Sequence, residues 1–321
     1  MVVLALGFRY GTESMWWLEI ARYVPFPAYL VPALALVGAS WPLGWRWRGA
    51  ALLAPLIVAT ELMGLAVGSP DAGTGHLRFM TYNIKAYLAA KTPGGYAQLA
   101  WEIASQDADV IVMQDAQPMS TAGELPAPIR AALKGRQTYV QGQYIVASRY
   151  PLTHCAPGDM SYAGEEDDFA HCTLTVDGRD IDLFTAHFVS PRDGLNAARG
   201  RSAGGLREWE GNFYDRLAQS SQLAAAVSAV TRPVIVAGDL NADERSPVVR
   251  RLLATGLRDA YSSAAIGYGY TLGHALRPGF SFLRIDHVLV SRDIGVHDCT
   301  PGGRDGSEHR PVLADLLVSA P

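Results

Sequence analysis

Short apolar runs that each end in a polar residue recur along the chain from about residue 77 onward. LRFMTYNI (77–84), DVIVMQ (109–114), DIDLFTAHF (180–188) and PVIVA (233–237) have the length and near-continuous hydrophobicity of strands buried on both faces of a sheet. Asn83, Asp115, His187 and Asp239 stand at or just past the ends of these runs, so each is expected at the rim of a sheet. Residues 96–106, with apolar positions at Leu99, Trp101 and Ile103, are a helix candidate, and Phe213, Leu217, Ala224 and Val227 recur at near-helical spacing. Asp177-Gly178, between HCTLTV and RDIDLF, is a hairpin signal. Hairpins mixed with crossover helices predict an α/β (α+β) fold of two packed sheets flanked by helices. There is no internal repeat that would require another architecture.

The first 68 residues have a different pattern. Residues 24–41 carry no charge and residues 49–67 carry only Glu61, and about 20 apolar residues span a bilayer. These segments predict two transmembrane helices. Pro25, Pro27 and Pro32 are better tolerated in membrane helices than in soluble ones. Residues 1–8 are apolar but too short to cross, so they read as the end of a truncated further helix or as a surface segment. Two spans joined by a short loop argue against a cleaved signal peptide. Trp41, Trp45 and Trp47 flank Arg46 and Arg48 in that loop, the composition of a cytoplasmic interfacial belt. The expected organisation is a membrane anchor over 1–68, a Gly/Pro-rich linker over 69–75 and an extracytoplasmic domain over 76–321. Glu61 reads as a carboxylate that snorkels or pairs rather than as a functional group.

Composition narrows the partners. The chain has 321 residues, 49% of them hydrophobic, and a net charge of −4, enough for one substantial core and without the basic excess of a nonspecific nucleic-acid binder. Nucleic acid is therefore the less expected partner, and nothing points to an obligate protein partner. Cys155 and Cys172 lie in neighbouring strand candidates, where either a disulfide or two small buried hydrophobes would serve; Cys299 is left over in both cases. Their spacing does not match a zinc site.

The chemistry sits in the rim residues. Carboxylates and amides there are hard oxygen ligands suited to Mg²⁺, with Mn²⁺ as the alternative. Asn83-Ile84, Met113-Gln114-Asp115, Ser148-Arg149-Tyr150-Pro151, Ala186-His187-Phe188, Gly238-Asp239-Leu240-Asn241, Ile285-Asp286-His287 and Ser307-Glu308-His309 follow one another in this order. The set resembles the motifs of the endonuclease/exonuclease/phosphatase family over roughly residues 76 to 321. The resemblance implies a four-layer α/β/β/α sandwich and a metal-dependent phosphoesterase. Matching family positions, Asp115 and Asn83 would hold the metal, Asp239 would orient or deprotonate the attacking water, and Asn241 would hydrogen-bond the phosphate. His187 and His309 would stabilise charge developing on it, and Asp286 would accept from His309. Asp115 stands where the family usually has Glu, and Glu308 where it usually has Asp. A ligand shortened by one methylene and a neighbour lengthened by one lead to the expectation that the metal shifts toward Glu308.

The remaining polar groups have structural readings. His154, His171, His274 and His297 have no partner in sequence that suggests catalysis, and Asp243 and Glu244 read as a turn and helix cap. The Gly-rich segment 190–208, with Arg192, Arg199, Arg201 and Arg207, reads either as a loop receiving an anionic head group or as a solvated one. EEDD (165–168) reads as a solvated turn that would repel a polyanion if it bordered the cleft. The N-terminal spans joined to this domain resemble the VanJ-type teicoplanin-resistance membrane proteins. That likeness implies membrane lipids as partners and a phosphorylated lipid or cell-envelope substrate, such as a polyprenyl pyrophosphate. A tethered nuclease and a catalytically impaired envelope-binding module are the rival readings.

Overall fold

The computed structural model describes residues 1–11, 13–275 and 279–318. In chain order the strands are β1 (Ala66–Val67), β2 (His76–Asn83), β3 (Val110–Gln114), β4 (Gln137–Gln141), β5 (Tyr144–Ser148), β6 (Leu152–Asp159), β7 (Asp168–Val176), β8 (Arg179–His187), β9 (Val234–Asp239), β10 (Arg258–Asp259), β11 (Ile266–Gly267), β12 (Asp286–Val290), β13 (Gly295–Pro301) and β14 (Val312–Leu317). Two six-stranded sheets form, ordered β13-β14-β2-β3-β5-β4 and β10-β12-β9-β8-β7-β6. The pairs β2/β3 and β8/β9 at their centres are parallel, and the other neighbours are antiparallel.

Alternation along the central strands builds the layers. Leu77, Phe79, Val110 and Val112 from one sheet meet Leu174, Leu183, Ile235 and Ala237 from the other in the inter-sheet core. The intervening residues Met80, Tyr82, Ile111 and Met113 face outward onto Leu99, Ile103 and Ile129 of helices Gly95–Ser105 and Ala127–Ala132. On the other side, Phe184, Val234 and Val236 pack on Phe213, Leu217 and Val227 of helix Ala203–Ser228 and on Val248 and Leu252 of helix Pro247–Leu253. Both faces of each central strand are covered, which is why these runs are continuously apolar. The expected four-layer α/β/β/α sandwich and the predicted hairpin are present, with Asp177 (φ 48°) and Gly178 (φ 83°) turning β7 into β8. Both central residues have positive φ, as a two-residue primed turn requires.

The N-terminal segment departs from expectation. Among the described residues no single helix is long and apolar enough to cross a membrane. The first expected span is broken into a 3-10 turn, Phe26–Tyr29, and a ten-residue helix, Leu30–Ala39, which reaches about 15 Å against the roughly 30 Å of a hydrocarbon core. The second lies in helix Trp45–Ile57, with Pro55 inside it, continued by one π turn, Val58–Leu62. Arg46, Arg48 and Glu61 sit near its two ends and shorten the apolar stretch between them. One bent pair, Glu13–Arg22 with Phe26–Ala39, has the length and composition of a span but turns by 87°.

These helices also pack on the rest of the molecule. Phe8, Leu18, Phe26, Val58 and Leu62 share a core with Phe282, Leu283 and Ile285. Within the expected linker, Asp71 N–H donates to the Val296 carbonyl at 2.8 Å, and Asp71 pairs with Arg258. Cys155 and Cys172 form a disulfide between β6 and β7, and Cys299 is buried and free.

Candidate active site

Strand register brings the polar rim together. His187 pairs with Asp239 across β8/β9, and Asp239 pairs with Asp286 across β9/β12, so three functional side chains stand side by side on adjacent strands about 4.8 Å apart. Gly238 permits this approach, because a Cβ there would lie 1.9 Å from the Ala186 carbonyl oxygen of β8. From the opposite sheet, Asn83 at the end of β2 donates from Nδ2 to Asp239 Oδ2 at 2.8 Å. Gln114 ties the two sheets beneath the site, donating to Thr81 and Thr185 hydroxyls at 3.0 and 2.9 Å.

Asp239 is the hub. Its carboxylate is buried, accepts the Asn241 backbone N–H at 3.0 Å, and has His187 Nε2 at 3.6 Å and His309 Nε2 at 3.7 Å. Asn241 adopts φ 47° and donates from Nδ2 to the Phe188 carbonyl at 2.8 Å. His309 donates from Nδ1 to Asp286, whose oxygens lie at 2.9 and 3.1 Å, and Thr271 Oγ1 donates to Asp286 at 2.5 Å. Burial disfavours the imidazolium of His309, but the Asp286 and Asp239 carboxylates outweigh it and raise its pKa above the ordinary histidine value. His187 shifts the other way, because burial dominates and Asp239 offsets only part of it. Its Nδ1 meets Gln143 Oε1 at 2.6 Å, and its buried Nε2 has no hydrogen-bond partner among the described residues.

The acidic group that the fold gathers consists of residues expected to be catalytic, while the expected metal ligands Asn83, Asp115 and Glu308 lie around it. Asp239, Asp286 and His309 present ligand atoms within 4.8 Å of one another. Asp115, just past β3 with φ 56°, instead holds the Lys85 ammonium at 3.0 Å from Oδ2. Glu308 faces Arg192, 3.5 Å from its Nη2, outside the group formed by Asp239, Asp286 and His309. The hard donors Asp115, Asn83 and Asp239, with an ammonium already resting on one of them, fit a small divalent cation. Asp286 accepts from Thr271 and from His309 Nδ1, which places it to orient the imidazole.

Other expectations resolve locally. Residues 190–208 are largely helical rather than a loop, with helix Arg192–Arg199 preceding the start of helix Ala203–Ser228. EEDD is no free turn: Glu166, Asp167 and Asp168 line a cleft of about 750 Å³ together with Asp115, Gln143 and Asp159. Burial pushes the Asp167 carboxyl up to about 6. Asp243 forms the expected turn, accepting Arg245 N–H at 2.9 Å, while Ser246 caps the following helix. His171 pairs with Asp182 at 2.8 Å and stacks on Phe184, a structural role. Sequence patterns had not singled out Gln143, Lys85 or His287. His287 sits between Asp259 (2.7 Å) and the Ala242 carbonyl (2.9 Å) and fixes the loop after Asp239; its place in Ile285-Asp286-His287 was the available signal.

The sequence profile of the endonuclease/exonuclease/phosphatase family matches residues 80–309. The chain belongs to the endonuclease/exonuclease/phosphatase family. Members are metal-dependent hydrolases of phosphoester bonds, and this protein is an enzyme of that class. Among solved structures it is similar to the endonuclease/exonuclease/phosphatase from Bacteroides vulgatus, with 17% identity, a TM-score of 0.57, and coverage of 76% of this chain and 99% of that one. The mannosyl-6-phosphatase of Bacteroides thetaiotaomicron aligns with a TM-score of 0.54 and 15% identity over 75% of this chain and 99% of its own. Sphingomyelinase C from Streptomyces griseocarneus aligns with a TM-score of 0.52 and 20% identity over 75% and 99%. At these identities the likeness is one of fold. No curated protein sequence matches the chain.

Proposed function

We propose that this family member is a membrane-associated, Mg²⁺-dependent phosphoesterase that cleaves a phosphate ester or pyrophosphate of a lipid or other cell-envelope molecule. The observation that carries the catalytic part is the convergence of Asn83, His187, Asn241 and His309 on the buried Asp239 carboxylate. A divalent ion held by Asp115 and Asn83 would polarise the phosphoryl oxygens. Asp239, fixed on both oxygens by Asn83 and Asn241, orients the attacking water and takes its proton. His309, kept as an imidazolium by Asp286, donates from Nε2 toward the phosphoryl oxygen as negative charge builds there. Asn241 has a second amide N–H for the phosphate, and His187 Nε2 faces the same space.

Substrate preference rests on two surfaces. The acidic cleft beside Asp115 disfavours a polyanion such as nucleic acid and suits a substrate whose negative charge is confined to a single phosphate or pyrophosphate end. The N-terminal helices expose a broad apolar face that includes Leu34, Leu52, Leu53 and Leu56, with Trp41, Trp45 and Trp47 at 70, 77 and 66% exposure. Arg48 and Arg46 lie over the Trp41 and Trp45 rings, a pairing suited to an anionic headgroup layer. The same unit reaches the catalytic loop, because Tyr23 Oη donates to the Asn241 carbonyl at 2.6 Å and Arg22 pairs with Asp243 at 3.0 Å. A bilayer engaged by these helices would hold the catalytic rim close to lipid, the organisation of the VanJ-type proteins. The disulfide fits an extracytoplasmic catalytic domain.

The test is phosphate release by the full chain, with Mg²⁺, from anionic vesicles containing a polyprenyl pyrophosphate, beside duplex DNA. The reading predicts flotation with the vesicles and release from the lipid. Cleavage of DNA alone, or no association with vesicles, would overturn it.

A further inference from the structure

Lys85 is placed with unusual care for a lysine. It follows the Asn83-Ile84 end of β2 in a left-handed conformation (φ 44°), which a non-glycine residue adopts at a cost. Its N–H donates to Asn83 Oδ1 at 3.2 Å. The next N–H, of Ala86, donates to the Asp115 carbonyl at 2.9 Å. Asp115 is itself left-handed. The two constrained backbones therefore face each other, and they hold the ammonium 3.0 Å from the Asp115 carboxylate with side chains only 12 and 20% exposed. Neither group meets bulk water freely, so the pair is screened less than a surface pair.

We propose that Lys85 is a built-in competitor for the metal: its ammonium neutralises Asp115 in the metal-free enzyme, and a divalent ion loads only as the lysine swings off that carboxylate toward the cleft. The inference rests on the reading of Asp115 as a metal ligand. Lys85 thereby keeps the metal-free site from accumulating unpaired negative charge, and it sets the concentration at which the enzyme becomes active. If the paired state is populated about nine-tenths of the time, apparent metal affinity falls about tenfold.

Two measurements on the full chain in detergent test this, both without substrate. Calorimetric titration with Mn²⁺ is run on wild type, Lys85→Met, Lys85→Arg and Asp115→Asn. The expected result is binding about tenfold tighter in Lys85→Met, near wild type in Lys85→Arg, and lost or strongly weakened in Asp115→Asn. Amine labelling read by mass spectrometry gives the second readout, since Lys85, Lys91 and Lys134 are the lysines of the chain. Mn²⁺ should raise labelling at Lys85 severalfold relative to the other two. Equal or weaker binding in Lys85→Met together with unchanged labelling would overturn the competitor role while leaving Asp115 as the ligand. Unchanged binding in Asp115→Asn would overturn both.

Discussion

Replacing Asp286 with asparagine keeps the shape of the site and removes one charge. In the native protein His309 Nδ1 lies 2.9 and 3.1 Å from the two Asp286 oxygens, with both side chains almost fully buried. A charge-assisted bond in such a place contributes about 1.5–3 kcal/mol. Since one pKa unit corresponds to about 1.4 kcal/mol, the substitution lowers the His309 pKa by roughly 1–2 units. The His309 pKa is raised in the folded enzyme, so the imidazolium is present below that value and is lost as pH rises through it. In Asp286→Asn the loss comes at lower pH. The alkaline limb of kcat/KM, measured with saturating metal on a soluble aryl phosphate diester from about pH 5 to about pH 9, should move down by roughly 1–2 units. The rate on the alkaline side should fall about 10- to 100-fold. An alkaline limb that stays in place, with an unchanged plateau, would refute the assignment of His309 as the cationic donor.

Gly238→Ala would force a Cβ against the Ala186 carbonyl, so about 1–3 kcal/mol of stability should be lost, read as a lower Tm together with reduced turnover from the disturbed Asp239. The buried Asp259 is held well below the usual carboxylate range, because Arg284 and His287 outweigh its burial. Its contribution is therefore complete above the unfolded carboxylate value of about 4 and is lost only as pH falls through the lower folded value. Asp259→Asn should cost about 3–5 kcal/mol in urea unfolding at neutral pH by leaving Arg284 without its buried partner, with a smaller difference from wild type in strong acid. Cys172→Ser opens a loop of sequence separation 17 and should lower stability by about 3 kcal/mol, an effect that reductant on the wild type should reproduce and that catalysis should largely escape.

What was legible in the chain follows from burial. The central strands are covered on both faces, so β2, β3, β8 and β9 announced themselves as continuous apolar runs, and the residues at their ends became the site. The edge strands β4 and β6 are mostly exposed and have no such signature. Residues 190–208 looked like a loop because glycine and arginine dilute the helical period, yet helix Arg192–Arg199 forms beside the longer helix. The N-terminal spans were misjudged in length because hydropathy windows ignore where prolines and terminal charges end a helix. Lys85 was invisible for a different reason: its partner Asp115 is 30 positions away in the chain, and only the parallel β2/β3 pairing brings their loops face to face.

Asp239 stands at the centre of the proposed metal-dependent hydrolysis. The direct measurement is phosphate release from the vesicle-borne pyrophosphate with and without Mg²⁺, for wild type and Asp239→Asn. The expected result is release that requires the ion and falls by at least about 10²-fold in the variant, with the variant still folded by circular dichroism. Release that persists without a divalent ion, or that Asp239→Asn leaves intact, would contradict it.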